Sequence, residues 1–165
     1  MQNNVSHAVI VSFFRYIANA HVNIKGFYRF NWDEIQNAIR SGIESPTLLL
    51  ESHDSEVRMP NKVASFNART ISWMILDFAP NDNFEKQEQV LDETETIALE
   101  VMSYFKKCRE DHAHWLYGKY EGDFEMQKVG PIFDNRFGWN VIIQIKNQQK
   151  MCFEAEKWNF PTESV

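Results

Sequence analysis

The chain has 165 residues, 44% of them hydrophobic and 14% aromatic, and its formal net charge is −6. This length and composition suit one compact domain, and no segment reaches the ~20 apolar residues of a membrane span. The absence of a clustered basic face argues against nucleic-acid binding. The N-terminus lacks the basic region of a signal peptide, and the two cysteines give no disulfide framework, so a reduced, cytoplasmic environment is expected.

The first predicted element is a helix over residues 6–21, because apolar side chains recur there at helical spacing on one face. A shorter helix is predicted from Asn31, with Glu34 three positions later as a capping-box-like start and Gly42 as a left-handed stop. Residues 47–51 are then predicted to form a short buried strand. The two helices are expected to pack on the sheet to which this strand belongs.

A polar segment over residues 53–62 follows, and its Pro60-Asn61 pair predicts a turn. Residues 70–78 are apolar on both faces, which is typical of an interior strand covered on both sides. Residues 63–69 are predicted to form either a separate strand or the first part of one long bent strand.

The long helix is predicted over residues 84–108, after a break at Pro80–Asn83. Its acids crowd the first half and its bases the last turn, as the helix dipole favours. Seven acids and one base over residues 82–100 carry a net charge equal to that of the whole chain. An irregular aromatic connection over 110–122 leads to a strand over 125–129.

The last strand gives the clearest pattern in the sequence. Side chains alternate from Trp139 to Lys146, which indicates a half-buried antiparallel strand. The pairs Gly130-Pro131 and Asp134-Asn135 before it predict turns. Residues 1–153 are predicted to form a single domain and residues 154–165 an irregular C-terminal tail.

The order of elements predicts an α+β fold. Its mostly antiparallel sheet has about four or five strands, packed by an N-terminal helix, a short helix and the long helix over residues 84–108. No internal repeat or low-complexity tract is present.

No catalytic, cofactor-binding or metal site is predicted. Cys108, His112 and His114 form the one cluster with soft ligand types, but their spacing fits a zinc site poorly and a fourth ligand is not obvious. The simpler interpretation is a helix end that runs into a polar loop.

The segment His53-Asp54-Ser55 contains the residue types of a catalytic triad. Adjacent residues cannot easily turn their side chains onto one reacting atom, and no G-x-S-x-G sequence surrounds Ser55. A solvated loop is therefore expected.

Two segments are candidate interaction surfaces. One is the D-N-R-F-G-W sequence before the last strand, where a tight turn is the alternative interpretation and aromatic side chains, if exposed, would be good anchors. The other is the acidic face of the long helix, which is expected to face water and could dock a basic partner. The candidate residues are Asn135, Arg136, Phe137 and Trp139 in the first segment and Glu88, Asp92 and Glu95 in the second.

The arrangement of these segments resembles a family of phage structural proteins, the tail-terminator and tail-completion (neck) proteins. The resemblance lies in an N-terminal helix, a P-T-L-L-L strand, a strand that ends in a polar break before a long helix, and a D-N-x-x-G-W turn before an amphipathic strand. It implies an α+β subunit that forms homo-oligomeric rings, often hexameric, with other particle proteins as partners. It also implies a place in a virion or phage-like particle, with no nucleic-acid or membrane partner.

Two functional hypotheses follow. The first is a non-enzymatic, ring-forming structural protein of a phage tail, neck or related particle. The second is a cytosolic module that binds a protein or a small apolar ligand on a concave sheet face lined by aromatic residues, namely Trp73, Trp115, Tyr117 and Trp139. A deep apolar pocket would favour the second hypothesis, and a flat sheet with exposed edge strands would favour assembly. An enzyme is a distant third alternative.

Overall fold

The computed structural model describes residues 5–30, 42–61 and 64–160. A mostly antiparallel sheet with separate helices confirms the predicted α+β class. The predicted helix that starts at Asn31 lies outside the described residues. In chain order the elements are α1 (His7–Ala20), β1 (Gly26–Phe30), β2 (Thr47–Glu51), β3 (Asp54–Arg58), β4 (Phe66–Phe78), α2 (Phe84–Glu110), β5 (Tyr120–Ile132), β6 (Arg136–Gln148) and a short 3-10 helix (Ala155–Lys157).

Helix α1 begins where predicted, because the Ser6 side chain caps it. The Ser6 hydroxyl accepts a hydrogen bond from the Val9 amide at 3.3 Å, which satisfies one of the free N–H groups of the first turn. One face of the helix is buried against the sheet, as its apolar spacing predicted. The buried residues are Ile10, Val11, Phe13, Phe14, Ile17 and Ala18.

Helix α2 is capped in the same way and runs two residues beyond its predicted end. The Asn83 side chain accepts a hydrogen bond from the Lys86 amide at 2.9 Å. Thr94 in α2 is fully buried, and its hydroxyl donates a hydrogen bond to the Val90 carbonyl at 2.6 Å. The hydroxyl of this buried side chain is therefore paired. Among the described residues, neither α2 nor any other helix is long and apolar enough to cross a membrane.

The described strands form one six-stranded sheet in the order β1-β2-β4-β6-β5, with β3 also paired to β4. Only the β1–β2 pair is parallel among the described pairings. Strand β4 is one continuous strand of 13 residues, so the alternative of a single long strand is confirmed from Phe66 onward. It pairs along its whole length with β6, from Phe66↔Gln148 to Phe78↔Arg136.

The face of the sheet that packs against α1 and α2 is the covered face. Its central side chains on β4 and β6 are almost entirely buried, and they join the buried faces of both helices in one hydrophobic cluster. On β4 these side chains are Ile71, Trp73 and Ile75, and on β6 they are Val141, Ile143 and Ile145. The period of two in β6 predicted that its three residues lie on one side.

The opposite face holds a smaller apolar cluster around Leu49, Met74 and Leu76. Gly138, the glycine of the D-N-R-F-G-W segment, also lies on this face, where it pairs with Leu76. It is part of β6, which corrects the interpretation that the whole segment is a tight turn. A Cβ atom at Gly138 would lie 1.9 Å from the carbonyl oxygen of Ile75, so only glycine lets β6 approach β4 this closely.

Strands β1 and β3 were not predicted from the sequence, so the predicted count of four or five strands was too low. All five residues of β3 are exposed, and a strand with no buried side carries no alternation of apolar and polar residues. The prediction that residues 53–55 form a solvated loop was therefore wrong for Asp54 and Ser55, which begin β3. β1 is too short to show a clear period, although it is rich in aromatic residues, which favour strands.

Strand β5 is also longer than predicted, and the predicted turn at Gly130-Pro131 was wrong. The strand runs through both residues to Ile132, with a register shift after Val129. Proline is tolerated because β5 is the end strand of the described sheet and does not need every N–H for pairing.

The chain leaves the sheet at Gln149, and residues 151–153 form no strand. Ser65 holds this exit, because its carbonyl accepts from the Gln149 amide at 2.9 Å and its hydroxyl donates to the Gln149 carbonyl. From residue 150 to residue 160 every side chain is exposed, as an irregular tail predicts.

Candidate functional site

The β5–β6 turn consists of Phe133, Asp134 and Asn135, which have φ angles of 48°, 58° and 63°. Three consecutive left-handed residues without glycine are uncommon, although aspartate and asparagine tolerate this region better than other residues. The Asn135 carbonyl accepts a hydrogen bond from the Ala79 amide at 3.0 Å, which ties the turn to the end of β4. The Asp134-Asn135 turn prediction is confirmed.

Arg136 follows the turn, and its side chain is buried. Its guanidinium group donates from Nη2 to the Ile43 carbonyl at 3.1 Å and from Nη1 to the Ser45 hydroxyl. Its Nε is buried and has no hydrogen-bond partner among the residues that the structure describes. Arg136 therefore fastens the segment before β2 to the start of β6, and it is not displayed as a contact residue.

Phe137 and Trp139 are also internal anchors, which corrects their role as candidate surface contacts. Phe137 is 7% exposed and packs with Ala79 and Val90 between the sheet and α2. The Trp139 ring is half-buried, and its indole N–H donates to the Leu91 carbonyl of α2 at 2.9 Å. Both residues fix the long helix to the sheet.

The acidic face of α2 lies where the sequence predicts it. Glu88 and Asp92 are exposed, and Glu95 is half-buried. None of the three joins an ion pair within the part of the chain that the structure describes. The acidic face of α2 therefore lies at the surface, as predicted.

The cluster at the end of α2 is held by aromatic packing. Cys108 is buried, and burial raises the pKa of its thiol. The His112 ring lies 4.1 Å from the Tyr117 ring. His114 packs 5.4 Å from the Phe13 ring, its Nδ1 accepts from the Leu116 amide at 3.2 Å, and burial lowers its pKa. Across the described ranges, no three His, Cys, Asp or Glu side chains converge as metal ligands.

The segment from His53 to Ser55 does not form a catalytic arrangement. The Ser55 hydroxyl donates to the Asn67 side-chain oxygen at 2.5 Å, across the β3–β4 pair. The His53 ring instead lies 5.1 Å from the His7 ring at the start of α1. Burial, together with the charges of His7 and Arg69, lowers the pKa of His53.

The predicted aromatic ligand face does not form. Trp73 is fully buried beneath the helices, whereas Tyr117 is exposed on the connection after α2. A hollow of about 380 Å³ exists elsewhere, between α2 and the start of β2, and its lining is mixed: the charged residues Lys25, Asp77 and Glu93 lie there together with the apolar Pro46 and Ile97.

Two surface features were missed by sequence reasoning. The first is the open side of β5, a 13-residue strand at the end of the described sheet. The second is a group of large apolar side chains in the tail, which are exposed in this structure; they are Met151, Phe153, Trp158 and Phe160. The tail residues are spaced irregularly, so no periodic pattern marks them, although their aromatic content in a polar segment is a usable signal.

A scan against protein-family models and a search of curated proteins each found no match to this chain.

Proposed function

We propose that this protein is a non-enzymatic structural subunit that assembles with copies of itself into a ring, as a component of a phage tail, neck or related particle. The proposed partners are neighbouring copies and other proteins of the particle. The proposed location is that particle.

The observation that carries this proposal is the open edge of β5. The regular stretch of β5, Glu125 to Val129, pairs only with β6 among the described strands, which leaves the other side of this stretch to a neighbouring chain. The charged side chains Asp123, Glu125 and Lys128 and the Pro131 ring restrict which chain can pair there. Such an edge favours a specific subunit contact over indiscriminate aggregation.

The acidic face of α2 supports the same proposal. Glu88 and Asp92 are exposed and unpaired within the described residues, while charge on the rest of the sequence is balanced. A surface with one charged face suits contact with a different surface of the next subunit. Contacts of this head-to-tail kind close into rings when the rotation between subunits allows it.

The alternative function, a module that binds a small apolar ligand or a protein, has less support. It required a concave face lined by aromatic residues, but Trp73 is buried and the hollow near Lys25 has no aromatic residue in its described lining. A small ligand with polar groups, able to pair with Lys25, Asp77 or Glu93, is the form of this alternative that the geometry allows.

Light scattering coupled to size-exclusion chromatography over a concentration series tests the proposal, with negative-stain electron microscopy of the largest species. We expect one oligomer of defined mass and ring shape, whose fraction increases with protein concentration. A strict monomer at the highest concentration would contradict the proposal. Thermal stabilisation by a polar small molecule, abolished by Asp77→Asn together with Glu93→Gln, would instead support the alternative.

A further inference from the structure

The tail after β6 carries a group of large, exposed apolar side chains, here called the tail cluster and defined as Met151, Phe153, Trp158 and Phe160. The Trp158 and Phe160 rings are stacked with centroids 5.7 Å apart, and Phe153 lies 5.9 Å from Trp158. The short 3-10 helix folds the tail back on itself, since the Trp158 amide donates to the Ala155 carbonyl at 3.1 Å. The cluster is therefore a preformed surface.

This cluster is exposed to an unusual degree. Its four side chains have exposed fractions of 58–66%. With about 200 Å² for each large apolar side chain, this corresponds to roughly 500 Å² of apolar surface. This equals the largest apolar patch of a typical monomer, and such a patch often has a function.

A second exposed apolar patch lies at the connection between β4 and α2, here called the apolar corner and defined as Pro80 and Phe84, which line one hollow. Phe84 is 74% exposed. A shallow hollow of about 550 Å³ adjoins Phe84, with Asp82 and Glu85 in its lining.

The two patches lie at opposite ends of β4. The tail is fastened at the start of this strand through Ser65 and Gln149, and the apolar corner follows its last residue, Phe78. Thirteen residues of strand span about 40 Å. The folded tail cluster of a chain therefore cannot cover the apolar corner of the same chain.

We propose that the tail cluster of one copy docks on the apolar corner of the next copy. This inference rests on the proposed function, because it names one further contact between neighbouring copies of the ring, beside the β5 edge. Two different patches at opposite ends of a subunit make a head-to-tail contact, which repeats from copy to copy and closes into a ring when the rotation between copies allows it. The roughly 500 Å² of the tail cluster supplies more than half of the ~800 Å² that one partner contributes to a stable interface.

The charges near the two patches agree with this docking. Residues 150–160 carry two lysines and two glutamates and so have no net charge, and Glu163 adds one negative charge beyond them. The corner carries Asp82 and Glu85, and the tail begins with the exposed Lys150. Lys150 can pair with a corner carboxylate, and Glu154 already pairs with Lys157 within the tail.

Cross-linking tests this contact with a native probe, because Cys152 in the tail is exposed whereas Cys108 is buried. In the variant Glu85→Cys, a short bismaleimide should join the tail of one copy to the corner of the next. We expect a ladder of dimers, trimers and larger covalent species on a denaturing gel. Cys152 alone can join only two chains, so the wild type should stop at dimers.

Two matched variants control the cross-link. Glu85→Cys combined with Cys152→Ser should give no species larger than a dimer. Leu99→Cys places an exposed thiol farther along α2, about 21 Å from residue 85, and should give no ladder.

A second measurement follows assembly directly. Trp158→Ser combined with Phe160→Ser should raise the concentration at half assembly at least tenfold, whereas Val22→Ser, at an exposed apolar residue elsewhere, should leave it unchanged. Circular dichroism confirms that each variant is folded, and if the double variant does not fold, the cross-link decides. If the wild type assembles but the Glu85→Cys variant gives no ladder, the docking is overturned and the proposed ring is not. The same conclusion follows if the folded double variant assembles at the same concentration as the wild type. A strict wild-type monomer would overturn both.

Discussion

Aromatic side chains occupy two contrasting regions of this protein. On the covered face, Phe14, Trp73 and Phe105 are fully buried, with ring centroids of neighbouring pairs 5.5–5.9 Å apart. In the tail, Phe153, Trp158 and Phe160 make contacts of similar length but stay mostly exposed. Ring contacts alone therefore do not indicate a core. The aromatic residues of the covered face stabilise the folded chain, whereas those of the tail have no such role within one copy.

Truncation of one tryptophan in each region gives the largest expected contrast. Trp73→Ala should lower the free energy of unfolding by about 3–5 kcal/mol, because it leaves a large cavity under both helices. Trp158→Ala should change it by no more than about 0.5 kcal/mol, because the ring is exposed. Urea unfolding of dilute protein measures both values. Equal losses for the two variants would show that the tail belongs to the core.

Strands β4 and β6 approach each other closely at Gly138, and one added methyl group can disrupt this approach. Gly138→Ala places a methyl group against the Ile75 carbonyl and should cost about 1–3 kcal/mol of unfolding free energy. The matched control is Gly122→Ala, where no heavy atom lies within 4 Å of the added carbon but φ is +85°. That control should cost about 1–2 kcal/mol from backbone strain alone. A neutral Gly138→Ala would contradict the steric explanation.

The half-buried Trp139 lies between the two extremes. Trp139→Phe keeps most of the ring packing but removes the hydrogen bond to the Leu91 carbonyl, and it should cost about 0.5–1.5 kcal/mol. Hydrogen exchange should also report faster opening near residue 91. No change in either measurement would mean that the indole N–H does not help to hold α2.

The smallest expected effect is a dependence on pH at the margin of the covered cluster. Burial lowers the folded-state pKa of His114 and of His53 from the ordinary value of 6.5. The unfolded chain then binds more protons than the folded chain as the pH falls through 6.5. The stability contributed by the neutral rings is complete above this pH and is lost below it.

Urea midpoints at about pH 7.5 and about pH 5.5 measure this effect, with the lower stability expected at the acidic pH. His114→Gln and His53→Gln should each reduce the difference between the two midpoints. The exposed His112 makes a matched control, since His112→Gln should leave the difference as it is in the wild type. An undiminished difference in both test variants would contradict the assignment to these rings.

Much of the fold could be predicted because its main elements carry strong local patterns. Helix α1 has a cap at Ser6 and a clear apolar face, and β6 has a strict period of two, so both were placed within two or three residues. Strand β3 was missed because none of its side chains is buried. Pairing with β4 makes it a strand, and that pairing leaves no trace in its own residues.

The candidate site was predicted less well. The sequence marked Arg136 and Phe137 as a display surface because charged and aromatic residues follow a turn. In the fold, Arg136 reaches back to the segment before β2, and Phe137 lies beneath α2. Both contacts join residues that are distant in sequence, so no local pattern predicts which way these side chains point.

The sequence by itself determined the α+β class, the positions of the two described helices and the side of β6 that enters the core, because periodicity and caps act within a few residues. Only the tertiary structure decided that β5 is left with an open edge and that the two apolar patches lie at opposite ends of β4. Those properties depend on which elements become neighbours, and the choice of neighbours is made by packing over the whole chain.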